Sequence, residues 1–329
     1  MSGIYVAGLG AVSPAGWGVP ALCHAVAARK PLPAQPLERT GWNEPLQVHR
    51  VPPPNPRPAC LAHPRLRRVS AISHFAVAAA VEALGDATGP VGIVFCTTCG
   101  GVNYSRRFFD EVLRDPATAS PILFPETVFN APASHLAAVI ESSSINYTLV
   151  GDSGVFLQGL ALAAEWLEAG RVPACLVVGA EEADWLIADV LHHFSRSTRL
   201  AEGAGAVLLQ RDPPGPPAVR LSAITNPHSF VDHRTRHIAA GRVSAELAPL
   251  RADELLGAEA AAWRDWPGAR LEIKPILGEG FAAAAAWQCL AAIAAARQGG
   301  YAGAVTIVMG AYHEAIGARF AVDKTISPG

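Results

Sequence analysis

The chain has 329 residues, a formal net charge of −2 and 16% charged residues, while 50% of its residues are hydrophobic. This apolar content is ample for one large core or two fused smaller ones. The near-neutral charge argues against nucleic acid as a partner, because binding to phosphates usually needs a clustered basic surface. The first residues lack the basic segment of a secretion signal, and the longest apolar stretches are shorter than a bilayer span. We therefore expect a soluble, cytoplasmic protein with no membrane partner.

Apolar runs in the first two thirds of the chain alternate between strand-like and helical spacing. Strands are predicted at "IYVAGLGAV", "VGIVFCT", "SINYTLV", "ACLVVGAEEA" and "EGAGAVLLQRD". Helices are predicted at "ALCHAVAARK", "SAISHFAVAAAVEALGDA", residues 102–114, "NAPASHLAAVIE" and "SGVFLQGLALAAEWLEAG". The Pro-rich segment 31–58 is interpreted as an extended surface loop. This alternation of strands and helices indicates an α/β fold with a covered sheet.

The stretch "PPGPP" is the clearest internal linker and predicts two domains, residues 1–212 and residues 213–329. Beyond the linker we predict a strand at "AVRLSAITN", a helix over 241–266 and a strand at "ARLEIKPIL". A buried Ala-rich helix follows, and "GAVTIVMGAYHEAIGARFAV" closes the chain with two strands around a turn. The second half thus repeats the plan of the first in a shorter form.

The stretch "LVGDSGVF" places Ser153 where an apolar run ends and a helical pattern begins. Serine at such a place is either a nucleophile on a sharp turn or a cap of the helix. Two known serine motifs fail here: "GDSG" lacks the "GP" that follows in trypsin-like proteases, and Val155 occupies the last glycine of GxSxG. The early "GLGAVSPAG" lacks the third glycine of a dinucleotide site.

These segments together resemble one family. In chain order, "IYVAGLGAVSPAG", "LFPETVFNAPASHLAAVIE", "SGVFLQGLALAAEWLEAGRVPACLVVGAEEA" and "EGAGAVLLQRD" resemble the β-ketoacyl-acyl carrier protein synthases. The stretch "LEIKPILGEGFAAAAAW" resembles that family's lysine-to-histidine motif, and "VMGAYHEAIGARF" resembles its glycine-rich turn. The resemblance spans nearly the whole chain and implies a thiolase fold: two similar α/β halves in five layers, here with a shortened second half, and usually a dimer.

In that family a cysteine takes an acyl chain from a carrier protein or coenzyme A, and two histidines and a lysine serve decarboxylation and condensation. The resemblance places Ser153 at the cysteine, Glu279 at the second histidine and Lys274 at the lysine. The first histidine's motif has no match between 211 and 270. Since a serine needs a general base and a carboxylate repels a developing enolate, ordinary decarboxylative elongation is not expected.

Two hypotheses follow from the resemblance. The favoured one is a non-elongating partner subunit, similar to the chain-length factors of aromatic polyketide and aryl polyene pathways, which acts with acyl carrier protein and a ketosynthase in a heterodimer, or with a second copy of the chain. The other is an acyltransferase or thioesterase-like enzyme for carrier-bound acyl chains, with Ser153 as nucleophile, His313 as base and Glu279 orienting it. Neither needs a metal or nucleotide cofactor, because acyl groups arrive on the phosphopantetheine of a carrier protein or on coenzyme A.

Structural interpretations of the same residues stay open. Ser153 could cap its helix, His313 could be a histidine of an exposed turn, and Glu279 could be a solvated carboxylate. Lys274 is flanked by apolar residues, and burial would demand a partner, for which Glu279 and Asp152 are candidates.

Two clusters of possible metal ligands are weak. The pair Cys96 and Cys99 has no second pair or spaced histidines to complete a zinc site, so we predict buried structural thiols. The histidines of "HSFVDHRTRH", residues 228–237, fit no zinc spacing, and we predict a polar surface loop. Its arginines could meet the phosphate of phosphopantetheine.

Overall fold

A computed structural model of the protein describes residues 3–39, 41–259, 266 and 268–323. The strands of the first half are β1 (Tyr5–Ser13), β2 (Gly16–Trp17), β3 (Gln35–Leu37), β4 (Leu46–His49), β5 (Val91–Thr97), β6 (Asn146–Val150), β7 (Ala174–Glu181), β8 (Leu200–Ala201) and β9 (Gly203–Gln210). Its helices are α1 (Val19–Ala28), α2 (Ala71–Leu84), α3 (Val102–Arg114), α4 (Ala131–Val139), α5 (Val155–Glu168) and α6 (Trp185–Phe194), with short 3-10 turns at Ala59–Ala62, Pro64–Leu66 and Phe124–Glu126.

The described part of the second half carries fewer elements than the first half. Its strands are β10 (Ala218–Ile224), β11 (His228–Ser229), β12 (Glu254–Ala258), β13 (Arg270–Leu271), β14 (Gly303–Met309) and β15 (Glu314–Asp323). Its helices are α7 (His233–Glu246), α8 (Lys274–Leu277) and α9 (Phe281–Gly299).

The main sheet shows that the two halves share one plan. Its strand order is β13-β12-β14-β15-β10-β1-β9-β7-β5-β6. In the first half β1, β9 and β7 are antiparallel neighbours and β5 and β6 continue in parallel. In the second half β10, β15 and β14 are antiparallel and β12 and β13 continue in parallel. The halves meet where β1 pairs antiparallel with β10, with Tyr5 opposite Arg220.

Helices cover these half-sheets in five layers. Helix α2 packs on β1, β9 and β7 on the outside of the first half, and α7 packs on β15 and β14 on the outside of the second. Helices α1, α5 and α9 form the middle layer, where α9 contacts β9 and β7 on one side and β14 and β12 on the other. Because α5 and α9 occupy equivalent places in the two halves, the residues preceding them, Ser153 and Glu279, also come from equivalent turns.

Helix α9 is buried on every side, as its Ala-rich sequence predicts. A Cβ atom on Gly205 of β9 would lie 2.6 Å from the Cβ of Ala286, so glycine is needed for the helix to sit this close to the strand. Trp287 is fully buried, and its Nε1 donates to the carbonyls of Val12, at 3.1 Å, and Ala204, at 2.9 Å. Among the helices described, α9 included, none is long and apolar enough to cross a membrane.

The predicted elements are mostly confirmed, but two segments differ. Segment 31–58 is not only a surface loop: its β3 and β4 join β8 in a small sheet, and Val48 is fully buried. The predicted helix over 241–266 is wrong, since α7 ends at Glu246 and 254–258 forms β12 beside β14. Helix-forming residues in 252–259 become a strand because sheet pairing outweighs local propensity. Residues 260–265 of that prediction lie outside the described residues.

Two further predictions are corrected. Segment 228–237 is not a loop throughout, because Asp232 caps α7, accepting from the Thr235 N–H at 2.8 Å in a capping box. The stretch "ARLEIKPIL" forms only the two-residue β13 before it turns into the short α8. The domain boundary at the linker stays a prediction.

Candidate functional site

Ser153 lies between β6 and α5, on the strand-to-helix turn where the sequence places it. The residue is fully buried, and its Oγ has no hydrogen-bond partner among the described residues. The N-cap of α5 is Gly154, and no side chain caps this end of the helix. The interpretation of Ser153 as a helix cap is therefore wrong. A serine nucleophile needs a hydrogen-bonded base, and this hydroxyl has none.

The carboxylate of Asp152 occupies the space beside this serine. It is fully buried and accepts five backbone N–H groups. Its Oδ1 accepts from Ser153 at 2.8 Å and Ala311 at 2.9 Å, and its Oδ2 accepts from Tyr312 at 3.1 Å, His313 at 2.9 Å and Glu314 at 3.2 Å. The turn between β14 and β15 is thus folded around this one side chain.

The predicted triad of Ser153, His313 and Glu279 does not form. The His313 side chain is 62% exposed, and its Nδ1 lies 3.8 Å from Asp152 Oδ2. The hydroxyl of Ser153 has no hydrogen bond from any described residue, so His313 is not bonded to it. Glu279 is bonded elsewhere and does not orient the imidazole.

Lys274 is the centre of a largely buried ion cluster. Its Nζ lies 2.6 Å from Glu279 Oε2 and 2.7 Å from Glu259 Oε1, and it donates to the carbonyl of Met309 at 2.9 Å. Arg236 Nη2 lies 2.8 Å from the other oxygen of Glu259. The predicted Lys274–Glu279 pair is confirmed, and Glu279, only 3% exposed, is not a solvated carboxylate.

The protonation of this cluster follows from its contacts. Burial opposes the charge on Lys274, but Glu259 and Glu279 outweigh it and hold the lysine's pKa above its ordinary value. Burial raises the pKa of Glu279, and the neighbouring Lys274 opposes that shift. Two ammonium or guanidinium groups and two carboxylates alternate here, so the cluster has no net charge to offer a substrate anion.

Glu259 is the member of the cluster that the sequence analysis missed. It follows the last residue of β12, in a segment predicted as helix. A strand at "ELLGA" would have placed the next residue at the carboxyl end of the sheet, where functional groups gather in α/β folds. The segment has no match to the motif of the family's first histidine, and it contributes instead Glu259, whose Oε1 lies 2.7 Å from Lys274 Nζ.

Three aromatic rings pack together near the ion cluster, and one of them, Phe194, lines a cavity with it. Tyr312 stacks on Phe281, with ring centroids 5.8 Å apart and an interplanar angle of 12°, and meets Phe194 edge-on at 5.7 Å. A cavity of about 510 Å³ is lined by Glu259, Lys274, Glu279, Phe194, Arg236 and Ala311 among others. Ser153 is not among its lining residues, so this cavity does not reach the hydroxyl.

A further acidic group, Glu181 at the end of β7, is 1% exposed. It accepts the backbone N–H of Thr98 and, at 3.1 Å, that of Cys99. Burial raises the pKa of Glu181 to about 8, although these two N–H groups oppose the shift. Glu181 is therefore largely protonated at neutral pH.

The metal-binding alternatives are not formed in the described part of the chain, which contains no group of three or more residues able to hold an ion. Cys96 is a buried free thiol and Cys99 is partly exposed. His228 is bonded to Glu246, with Nε2 and Oε1 2.6 Å apart.

The sequence around Ser153 matches that of a known family. The family model that describes the N-terminal domain of β-ketoacyl synthases matches residues 41–246. The chain belongs to the β-ketoacyl synthase family. A search of curated proteins finds no match.

Solved ketosynthase structures share the fold of this chain along nearly its whole length. The ishigamide ketosynthase/chain length factor is 20% identical with a TM-score of 0.78, covering 98% of this chain and 99% of that chain. A β-ketoacyl synthase from Burkholderia phymatum is 15% identical, with a TM-score of 0.80 and coverage of 98% and 100%. The ketosynthase ApeO in complex with its chain length factor ApeC, from Xenorhabdus doucetiae, is 13% identical, with a TM-score of 0.74 and coverage of 98% of both chains. The predicted thiolase fold is confirmed.

Three features describe the site of this chain. Its serine has no base, its lysine is bound by two carboxylates, and its glycine-rich turn is bound by a third. The lysine ammonium and the backbone N–H groups of this turn, which could stabilise developing negative charge, are thus already bound by carboxylates of the chain.

Proposed function

We propose that this chain is a non-elongating partner subunit of a β-ketoacyl synthase, similar to a chain-length factor, in fatty acid, polyketide or aryl polyene assembly in the bacterial cytoplasm. The observation that carries the proposal is the buried Ser153 hydroxyl, which no described residue bonds. The neutralised Lys274 supports it, because an ammonium held by two carboxylates attracts no further anion.

A strand with one unpaired edge supports a protein partner. β6 is the last strand of the main sheet and pairs, in the described part of the chain, with β5 alone. Its sequence "NYTLV" has neither the lysine nor the proline that protects exposed edges. Tyr147 is 55% exposed and Val150 is 51% exposed. An edge of this kind is suited to pairing with a strand of another chain.

Further exposed apolar side chains continue from this edge. α4 contacts both β6 and the 3-10 turn at Phe124–Glu126, and that turn contacts α3. The exposed large hydrophobic residues of this region are Phe109, Leu113, Ile122, Phe124, Val128, Phe129 and Ile145. Clustered exposed hydrophobic residues are typical of protein interfaces. We propose that a ketosynthase covers this surface in a heterodimer, with a second copy of the chain as the alternative partner.

Acyl carrier protein is the second proposed partner, since acyl groups of this chemistry travel on its phosphopantetheine. The chain itself needs no resident cofactor under this proposal. Its role is to complete the ketosynthase and its acyl tunnel.

The first experiment asks whether Ser153 accepts an acyl group. The protein and its Ser153→Ala variant are incubated with acyl-acyl carrier protein and acyl-coenzyme A, and intact masses are recorded. We expect no mass gain in either protein, while a ketosynthase with its active-site cysteine gains the acyl mass in the same assay. A gain equal to the acyl group that is lost in Ser153→Ala would support the acyltransferase or thioesterase-like function and overturn the partner role.

The second experiment tests the partner surface. The chain is produced together with the ketosynthase encoded in its gene neighbourhood, and the complex is sized by light scattering after gel filtration. Val150→Lys puts a charge on the β6 edge and is expected to weaken the complex at least tenfold, because the lysine would be desolvated on pairing.

Val231→Lys is the matched control, because Val231 is a valine that is 87% exposed and lies outside β6. It is expected to leave the complex unchanged. Equal weakening of the complex by both variants would argue against binding of the ketosynthase at the β6 edge. A stable homodimer that does not bind the ketosynthase would argue against the partner role.

A further inference from the structure

The turn between β14 and β15 binds the Asp152 carboxylate through its backbone N–H groups. The N–H groups of four consecutive residues, 311–314, converge on its carboxylate together with the N–H of Ser153. Successive backbone N–H groups of this kind form a nest, a concavity that binds anions. All five N–H groups that donate to this carboxylate belong to the backbone.

The turn is shaped closely around this side chain. A Cβ atom on Gly310 would lie 2.0 Å from Asp152 Oδ2, so only glycine leaves room for the carboxylate. The Asp152 side chain is fully buried, and among the described residues the one side-chain nitrogen of a lysine, arginine or histidine within 4.0 Å of its carboxylate is Nδ1 of His313, at 3.8 Å. Backbone N–H groups, with no lysine or arginine of the described residues at this distance, therefore satisfy the buried carboxylate.

A second carboxylate completes the surroundings. Glu314 lies against the first turn of α5, where a Cβ on Gly154 would come 2.3 Å from its Oε1. Gln158 Nε2 donates to both oxygens of Glu314, at 2.9 and 3.0 Å. The amino end of a helix attracts negative charge. The chain thus supplies two carboxylates of its own at a place where an external anion would otherwise bind.

We propose that the backbone N–H groups of Ser153 and residues 311–314 form an anion-binding site whose resident ligand is the Asp152 carboxylate, and that removing this side chain opens the site to small monocarboxylates. Formate and acetate present the same two oxygens as the aspartate. While Asp152 is in place, these N–H groups are engaged and offer nothing to the oxygen of an incoming thioester. This inference does not depend on the partner role, because it concerns the isolated chain.

The test compares the wild type, Asp152→Ala and Asp152→Asn by thermal unfolding in sodium formate and in sodium chloride at equal ionic strength. Asp152→Ala is expected to have a lower melting temperature than the wild type. Its melting temperature is expected to rise saturably with formate, and by more than it rises with chloride, because formate binds the native state alone. The wild type and Asp152→Asn, whose side chains fill the site, are expected to respond equally to the two salts. An Asp152→Ala protein without a formate-specific shift, or a wild type with the same shift, overturns the proposal.

Amide hydrogen exchange of the wild type and of Asp152→Asn tests the proposal independently of whether Asp152→Ala folds. Peptides covering 311–314 are expected to exchange at least a hundredfold more slowly than the free peptide. Asp152→Asn is expected to exchange at least tenfold faster than the wild type there, since a neutral amide oxygen binds N–H groups more weakly. Exchange of the wild-type turn at the free-peptide rate would overturn the proposal.

Discussion

Replacing Lys274 with methionine is expected to lower the free energy of unfolding by about 3 to 5 kcal/mol, because it leaves a buried carboxylate without its counter-charge. Glu279 is 3% exposed and has its ion pair with this lysine at 2.6 Å. Glu259 keeps its ion pair with Arg236 at 2.8 Å. Most of the lost stability therefore comes from Glu279, which is left without a cationic partner. Urea unfolding followed by circular dichroism measures the change.

Two variants control for the loss of a lysine as such. Lys30→Met removes an exposed lysine and is expected to change stability by less than about 0.5 kcal/mol. Lys274→Met combined with Glu279→Gln removes both charges of the pair while keeping Arg236 and Glu259 together, and is expected to recover most of the lost stability. A single Lys274→Met variant as stable as the wild type would show that Glu279 does not depend on the ammonium.

Glu181→Gln is expected to change how stability depends on pH. The pKa of Glu181 in the folded protein is raised to about 8. The unfolded chain releases this proton near the ordinary glutamate value of about 4.3, whereas the folded chain keeps it until about pH 8. The stabilisation of the folded state by protonated Glu181 is therefore fully present below the pKa of the unfolded chain and is lost as pH rises to the pKa of the folded chain. One pKa unit corresponds to about 1.4 kcal/mol, so the loss amounts to several kcal/mol.

The variant should therefore gain stability relative to the wild type as pH rises from about 4.3 to 8, because glutamine does not ionise. Urea unfolding at intervals across this range measures the difference. Glu165→Gln, an exposed position on α5, is the matched control and should follow the wild-type profile. Parallel profiles for Glu181→Gln and the wild type would show that Glu181 is not protonated in the folded state.

Much of the architecture follows from sequence because its elements carry strong local patterns. Helix α3 was predicted over the residues it occupies, and the Ala-rich α9 and the final pair of strands follow the apolar spacing. The two-half plan is readable because each half presents the same order of runs. The missed strand β12 has helix-forming residues, and its state depends on β14, which lies far away in sequence.

The site was predictable only in part, for the same physical reason. Lys274 and Glu279 are close in sequence, so their pairing could be anticipated from the burial of the lysine. The contact of Asp152 with the turn at 311–314 joins residues that are distant in sequence, and no local pattern indicates which N–H groups a buried carboxylate will find. The proposed His313 triad was wrong because aligned motifs order residues along a chain without fixing side-chain contacts.

The middle position of α9 has a consequence for synthesis on the ribosome. All strands of the first half have been made once Gln210 is complete, yet the inner faces of β7 and β9 are covered by a helix that ends only at Gly299. During translation of the intervening segment the nascent chain presents an apolar sheet face to water. Such exposed surfaces are where aggregation starts and where chaperones bind. The first half is therefore expected to reach its native packing only after the second half has emerged.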